Sequence, residues 1–211
     1  MKLTSYFDVR DRLQPGDLIA FSGKGHFSNI IKWRTDSNVS HVGTVLHRYG
    51  SFDPSSRRVE LIESTSLDGK TGVIASSMSQ RVETYAGNMW WLPLHHVVRT
   101  AFNETKFVEF MTRQLGKPYD FIQAIGSAMD TFDALFENDP DYSRFFCSEL
   151  VAAGWLEAGV LETRVNPSEQ TPIDLVKLQV FYSDAVLLRL SSGDEAQTPT
   201  GFWPARPVRS D

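Results

Sequence analysis

The sequence predicts an α+β fold, because strand-like segments dominate its first half and helix-like segments its second half. In the first half, short apolar runs rich in Val, Ile and Thr lie between turn residues, which is typical of β-strands. In the second half, apolar residues recur at intervals of about three or four, which is typical of helices buried on one face. Strands followed by helices indicate a sheet with helices packed against it.

The first half contains most of the predicted strands. The segment QPGD at residues 14–17 has turn chemistry, and the apolar run LIAF that follows it predicts a strand. Glycines at 23 and 25 end this strand, and residues 27–34 then show the near-helical spacing of a short helix. Further strands are predicted over residues 39–48, 59–65, 72–75 and 89–94, the last interrupted by Pro93.

The second half contains most of the predicted helices. Asn103 or Thr105 is positioned to cap a helix that extends to about Leu115 and that Gly116 ends. Further helices are predicted over residues 121–136, 144–158 and 173–178, and a closing strand over residues 185–190. We expect residues 1–190 to form one domain and residues 191–211, rich in Ser, Pro, Gly and Thr, to form a loosely ordered tail.

The composition is that of a globular protein long enough to bury a core. The chain has 211 residues, of which 41% are hydrophobic and 22% are charged. Its net charge of −5 argues against a broad surface for nucleic acid. The sequence shows neither a signal-peptide-like apolar segment nor an apolar run of the roughly 20 residues that span a bilayer, so the expected compartment is the cytoplasm.

Cys147 is the single cysteine of the chain. A single cysteine excludes an internal disulfide and a zinc site with two or more thiolates, and we expect neither a metal nor another cofactor. Such a residue is either a small buried hydrophobe or a nucleophile. Its position near the first turn of a predicted helix favours the nucleophile, because unpaired N–H groups and the helix dipole stabilise a thiolate there. Glu149, two residues on, is interpreted as a capping or structural carboxylate, with a catalytic part as the alternative.

A thiolate needs a base, and His41 lies in a predicted strand in which Gly43 leaves space beside it. The next predicted strand has the sequence VELIEST, and its alternation places Glu63 on the core-facing side. A carboxylate that points inward requires a partner, which His41 on a neighbouring strand supplies. A shift of one residue in the strand register would exchange Glu63 for Glu60.

A thiol, an imidazole and a carboxylate on a helix end and two adjacent strands form the papain arrangement, although here the chain order is His, acid, Cys. Five segments accompany them in order: QPGDLIAF at residues 14–21, SHVGTVL at 40–46, ELIEST at 60–65, LGKPYDF at 115–121 and FFCSELV at 145–151. In this order and spacing, the segments resemble the permuted NlpC-type branch of the papain-like superfamily, which includes bacterial lipid- or peptide-hydrolase-like proteins. They extend over about residues 13–155.

The resemblance implies a circularly permuted papain-like fold, with a small antiparallel sheet or half-barrel packed against helices. It also implies the catalytic roles. The His of the SHVG-like strand, here His41, is the base. The acid of the following strand, here Glu63, orients that base, and the Cys of the CSEL-like helix, here Cys147, is the nucleophile.

Tyr119, Ser40 and His47 are the candidate substrate-binding residues. Tyr119 either lines the groove, donates to an oxyanion or fills the core, and Ser40 belongs to the SHVG-like motif. Alternation places His47 on the same face of its strand as His41, with a surface position at the strand end as the alternative. No Gln shortly precedes Cys147, as one does in papain, so the backbone N–H of Cys147 is the expected oxyanion donor.

These features predict a thiol-dependent hydrolase that cleaves an amide, peptide or ester bond through a covalent acyl-enzyme. The expected partner is a peptide, amide or lipid substrate, with no nucleic acid and no integral membrane segment. Three alternatives stay open at this point. They are an acyltransferase with a lipid substrate, a catalytically silent module that binds cell-wall peptide or lipid, and a structural protein with a buried cysteine.

Overall fold

The computed structural model describes residues 1–24, 26–49, 58–118, 146–182 and 184–202. In this part of the chain, six strands form one antiparallel sheet, and helices pack against both of its faces. The fold is therefore α+β, as the order of the segments predicts. No helix within the described ranges is long and apolar enough to cross a membrane.

The strands follow the predicted segments. They are β1 (Leu18–Ser22), β2 (His41–Tyr49), β3 (Arg58–Leu67), β4 (Lys70–Ser77), β5 (Asn88–Leu92) and β6 (Val186–Arg189). Their order in the sheet is β4-β3-β2-β1-β5-β6, and every neighbouring pair is antiparallel. β4 is longer than predicted because each of its eight residues pairs with β3.

The helices agree with the prediction only in part. They are α1 (Tyr6–Val9), α2 (His26–Arg34), α3 (Met78–Thr84), α4 (His96–Ala101), α5 (Glu104–Gln114), α6 (Cys147–Glu157) and α7 (Pro172–Lys177). α1, α3 and α4 have no counterpart among the predicted elements. α6 begins at Cys147 rather than at residue 144, and the helix predicted over 121–136 lies outside the described residues.

Both faces of the sheet are buried. On one face, residues such as Val42 and Trp90 pack with apolar side chains of α5, α6 and α7. On the other face, residues such as Phe21 and Leu61 pack with α1 and α3. β1 and β5 lie in the middle of the sheet and are buried along their whole length, which explains why their sequences are apolar except for Ser22 and Asn88 at one end of each.

The carboxylate of Asp17 holds the turn in front of β1. Asp17 is 1% exposed, and its oxygens accept hydrogen bonds from the backbone N–H groups of Gln14 and Leu94, both at 2.9 Å. They also accept a hydrogen bond from the indole N–H of Trp91 at 2.9 Å and one from the Arg99 guanidinium. The Asp of the QPGD segment therefore joins the turn to the end of β5 and to α4.

The same turn is joined to α6. The indole N–H of Trp155 donates to the carbonyl of Gly16 at 2.9 Å, and Trp155 is fully buried. Gly16 has a φ of +85°, and a Cβ at this position would lie 2.6 Å from the ring of Phe102. The turn therefore requires glycine, and it links β1 to the helix that begins with Cys147.

Residues 191–202 lie against the body of the protein. The backbone N–H of Asn38 donates to the Thr200 hydroxyl at 3.0 Å, and its side-chain oxygen accepts from the Thr200 N–H at 2.7 Å. The indole N–H of Trp90 donates to the carbonyl of Gln197 at 2.8 Å. Polar groups of this segment thus bind Asn38 and Trp90 of the body, and the loose order expected for residues 191–211 stays a prediction. Residues 203–211 lie outside the described residues.

Asp17→Ala is expected to lower the free energy of unfolding by about 3–5 kcal/mol, because it leaves a guanidinium and three N–H donors without their buried acceptor. Urea denaturation followed by tryptophan fluorescence measures this loss. Asp8→Ala, at an exposed position in α1, is the control and is expected to change stability by less than about 0.5 kcal/mol. Equal effects of the two substitutions would contradict the role of Asp17.

Candidate active site

Cys147 is the first residue of α6 and is 1% exposed. α6 packs against β2 and β3, and its residues Leu150, Val151 and Trp155 are fully buried. The helix is therefore held firmly against the sheet. The first backbone N–H groups of a helix have no partner within it, and the helix dipole is positive at this end. Negative charge on the Cys147 sulfur is stabilised in such a position.

His41 and Glu63 face each other on adjacent strands. His41 begins β2, and Glu63 lies within β3, its antiparallel neighbour. Nε2 of His41 lies 2.8 Å from Oε2 of Glu63, which is hydrogen-bonding distance. The side chain of Glu63 is fully buried, and that of His41 is 15% exposed. The inward position of Glu63 agrees with the strand alternation, whereas Glu60 is paired with His47.

The imidazole of His41 contacts Cys147 as well as Glu63. Because Nε2 is used by Glu63, Nδ1 is the nitrogen left for the hydrogen bond with the Cys147 side chain. Burial on its own lowers the pKa of His41, but the charge and hydrogen bond of Cys147, together with those of Glu63, raise it to about 9. The sulfur and the carboxylate on either side of the ring thus favour the protonated form of His41.

Gly43 provides the space that this arrangement requires. A Cβ at this position would lie 3.0 Å from the carbonyl oxygen of Ile62 and 3.1 Å from Cβ of Glu63. The sequence predicts that Gly43 leaves space beside His41. In the structure, the side of Gly43 where a side chain would lie faces the neighbouring strand β3, next to Glu63. A side chain at residue 43 would push β3, and Glu63 with it, away from β2.

A second cation contacts Glu63. Nε of Arg81, in α3, donates to Oε1 of Glu63 at 2.7 Å, and Nη2 donates to Oε2 at 3.2 Å. The Arg81 side chain is 9% exposed. Burial raises the pKa of Glu63, but His41 and Arg81 outweigh this effect and lower it. Glu63 therefore stays ionised although it is fully buried.

Two aromatic rings enclose these charged groups. The guanidinium of Arg81 lies 5.2 Å from the ring centre of Phe21 and 4.8 Å from that of Tyr85. The ring of Phe21 also lies 5.1 Å from that of His41. Burial raises the pKa of Tyr85, Arg81 opposes the rise, and the charges of Glu63 and Cys147 add to it. The phenol is therefore protonated and belongs to the electrostatic surroundings of the site.

Arg81 and Tyr85 are absent from the predicted site because α3 is absent from the predicted elements. A signal for that helix exists, since Met78, Val82 and Tyr85 recur at helical spacing. No sequence pattern indicates that Arg81 meets Glu63. This contact depends on how α3 packs against β3, which periodicity does not describe.

Ser40 and His47, two of the predicted substrate-binding residues, lie in different surroundings. Ser40 is 3% exposed, and its hydroxyl accepts a hydrogen bond from the Gly23 N–H at 3.0 Å, so it links the end of β1 to the start of β2. A bulge between Val45 and His47 interrupts the register, so His47 does not share the face of His41. The rise along the strand places His47 roughly 20 Å from His41. This corrects the prediction that the two histidines face one groove.

Two further expectations concern a tyrosine and metal binding. Tyr119, the third predicted substrate-binding residue, lies outside the described residues. Within the described ranges, no group of three or more His, Cys, Asp and Glu side chains is arranged to hold a metal ion. The described site thus consists of Cys147, His41, Glu63 and the residues that surround them.

Glu149 caps the N-terminal end of α6, next to Cys147. The carboxylate is 4% exposed; Oε2 accepts a hydrogen bond from the Phe146 N–H at 3.3 Å, and Oε1 accepts one from the Ser168 hydroxyl at 3.1 Å. Ser168 lies in a 3₁₀ turn at Pro167–Glu169. Glu149 therefore holds the residue before Cys147 and joins α6 to that turn, which agrees with a capping and structural role.

Comparisons with known proteins identify a similar solved structure but no matching family. No family model and no curated protein matches the sequence. Among solved structures, the metalloprotein YiiX from Escherichia coli O157:H7 is similar, with a TM-score of 0.49 and 22% sequence identity. The match covers 69% of this chain and 66% of that chain, slightly less than two thirds of YiiX.

Gly43→Ala is expected to lower the pKa of His41 from about 9 towards its ordinary value, because the new Cβ displaces Glu63 from the imidazole. An NMR titration of the His41 ring measures this change. The same substitution is expected to lower the free energy of unfolding by about 1–3 kcal/mol. Val45→Ala, in the same strand but packed among apolar residues, is the control, and it is expected to lower stability without moving the pKa of His41.

The contacts of His41 with Cys147 and with Glu63 predict a pH window for stability. The pKa of His41 rises from 6.5 to about 9 on folding, so its contribution is complete below pH 6.5 and disappears as the pH rises through 9. The pKa of Glu63 falls from 4.5, so its contribution is present above pH 4.5 and disappears as the pH falls through the lowered value. The stability difference between wild type and His41→Gln is therefore expected to peak between these limits, at up to roughly 3 kcal/mol. Urea denaturation across the pH range measures it, and a difference that increases above pH 6.5 would contradict the assignment.

Proposed function

We propose that this protein is a thiol-dependent hydrolase with a circularly permuted papain-like fold, in which Cys147 is the nucleophile, His41 the base and Glu63 the group that orients the base. The main support is the position of His41, which contacts Cys147 through one side of its ring and Glu63 through the other. Nucleophile, base and orienting carboxylate in this succession are the requirement for acyl transfer by a thiol. The permuted form is proposed because the base and the acid precede the nucleophile in the chain.

The proposed reaction begins with a Cys147 thiolate and a His41 imidazolium. The thiolate attacks the carbonyl carbon of the substrate, and the electron pair of the C=O bond moves to the oxygen. The imidazolium then gives its proton to the leaving nitrogen or oxygen as the bond to the carbonyl carbon breaks. The products of this half-reaction are a thioester on Cys147 and a released amine or alcohol.

Water completes the proposed cycle. Neutral His41 removes a proton from a water molecule, and the resulting hydroxide attacks the thioester carbonyl. The C–S bond breaks, Cys147 leaves as a thiolate, and the carboxylic acid product departs. Glu63 supports the imidazolium in both halves of the reaction because it accepts the hydrogen bond from Nε2.

The N-terminus of α6 is the proposed site for the oxyanion. The negative charge of the tetrahedral intermediate forms next to the attacking sulfur, and Cys147 is the first residue of the helix. The backbone N–H of Cys147 is therefore the proposed donor, and the positive end of the helix dipole acts in the same direction.

The bond cleaved and the acceptor of the acyl group define the rest of the activity. We assign amide, peptide or ester bonds as the substrate class, since a thiolate attacks each of these carbonyls. The steps up to the thioester are common to a hydrolase and to an acyltransferase with a lipid substrate. Product analysis separates the two, because water yields a free acid and another acceptor yields a new ester or amide.

The pH dependence of Cys147 alkylation tests the proposal. The chain has one cysteine, so iodoacetamide incorporation measured by mass spectrometry reports on Cys147 alone. The wild-type rate is expected to inflect below pH 7, and that of His41→Ala near the ordinary thiol value of about 8.5. Because Cys147 is 1% exposed, the plateau rate depends on how easily iodoacetamide reaches the thiol. The pH of the inflection, and not the plateau rate, therefore tests the proposal.

Two results would contradict the proposal. An inflection near pH 8.5 in both proteins would indicate a binding or structural protein in place of an enzyme. Cys147→Ala and Cys147→Ser are expected to keep the fold and to lose at least about a thousandfold in turnover of amide or ester substrates. A Cys147→Ala variant with full activity would exclude Cys147 as the nucleophile.

A further inference from the structure

Glu63 has more bonding partners than the orientation of an imidazole requires. One of its oxygens accepts from Arg81 at 2.7 Å, and the other lies 3.2 Å from Arg81 and 2.8 Å from His41. The Arg81 contact is bidentate, which is the strongest geometry that a guanidinium and a carboxylate form. Glu63 is thus held from two sides, by His41 of β2 and by Arg81 of α3.

Among the described residues, the four charged groups of the site balance in sign. The active form of a thiol–imidazole pair has a negative sulfur on Cys147 and a positive ring on His41. Glu63 adds a negative charge, and Arg81 adds a positive one. Tyr85, a further titratable group among the described residues that face this cluster, stays neutral because burial, only partly opposed by Arg81, raises its pKa. With Arg81 the cluster is neutral overall, and without it the same buried groups have an excess negative charge.

An excess charge in these surroundings is unfavourable. The side chains of Glu63 and Arg81 are 0% and 9% exposed, and Cys147 is 1% exposed, so water screens them little. The rings of Phe21 and Tyr85 lie next to the guanidinium of Arg81 and further limit solvent around it. A cluster that has lost its second cation would be expected to take up a proton, either on Cys147 or on Glu63. Both outcomes end the active form, since one removes the thiolate and the other removes the acceptor for His41.

We propose that Arg81 is a positioning residue whose charge balances Glu63 and thereby allows Cys147 and His41 to coexist as a thiolate–imidazolium pair. This inference rests on the proposed function, because it assigns Arg81 a task within that reaction. Arg81 acts through Glu63 and touches neither the sulfur nor the substrate in this role. A purely structural arginine would affect folding and leave the titration of the thiol where it was.

The test compares variants that separate charge from hydrogen bonding. Arg81→Gln retains an N–H donor for Glu63 and removes the charge, whereas Arg81→Lys retains the charge and loses the bidentate geometry. Arg189→Gln is the matched control, because Arg189 donates to the carbonyls of Val82 and Glu83 at the end of α3, at 2.7 and 2.8 Å. The measurement is the iodoacetamide alkylation rate of Cys147 against pH, with circular dichroism as the check on folding.

The inference predicts a different titration for each variant. In Arg81→Gln, the inflection moves up by at least about one pH unit, which corresponds to about tenfold slower alkylation, relative to the plateau, at a pH well below both inflections. In Arg81→Lys, the inflection stays nearer to that of wild type, and in Arg189→Gln it is unchanged. Equal shifts in the Gln and Lys variants, or no shift in either, would overturn the inference.

A double variant covers the case in which Arg81→Gln does not fold. Glu63→Gln combined with Arg81→Gln removes both charges together, leaves the cluster neutral, and keeps at residue 63 an amide oxygen that accepts from Nε2 of His41. A folded double variant with a low inflection supports the inference, and one that stays unfolded or inflects near pH 8.5 overturns it. The wild-type profile separates failure of the Arg81 inference from failure of the proposed function. A wild-type inflection near pH 8.5 contradicts the proposed function. A low wild-type inflection that stays at the same pH in Arg81→Gln contradicts only the role of Arg81.

Discussion

The ionised carboxylate of Glu63, fully buried within the sheet, is the constraint on which the rest of the site depends. Such a group is stable in a protein interior only if cations and hydrogen-bond donors surround it. His41 and Arg81 meet this requirement, and they come from β2 and α3. The three elements must therefore keep fixed positions relative to one another. The imidazole gains a fixed orientation as a result, with its second nitrogen directed to Cys147.

The thiol reaches this cluster because α6 is fixed at several points. Trp155 bonds to the turn in front of β1, and Asp17 fixes that turn to β5 and α4. Glu149 joins the start of the helix to a neighbouring 3₁₀ turn. These contacts are polar, and they link segments 19 to 139 residues apart in the chain. The chemistry proposed for Cys147 therefore depends on a scaffold whose stabilising groups are distinct from the reacting ones.

The strands were predictable because their signals are local. Turn chemistry, apolar runs and period-two alternation lie within a few residues of each other, and they indicate the strand positions and the inward face of Glu63. The helices α3 and α4 have seven and six residues, so each shows less than two turns of periodicity, and they were not predicted. The attachment of residues 191–202 was also not predicted, since a composition rich in Ser, Pro, Gly and Thr contains no sign of the donors on Asn38 and Trp90 that bind it.

The amino-acid sequence was sufficient for the α+β class, for the single thiol at a helix start, and for an imidazole and an inward carboxylate on successive strands. These follow from residue type and from the fixed periods of helices and strands. Only the tertiary structure decided three other features. These are the contact of Arg81 with Glu63, the linking role of Ser40, and the separation of His47 from His41. They depend on helix packing, on a hydrogen bond between β1 and β2 and on a β-bulge, and each of these is set by distant parts of the chain coming together.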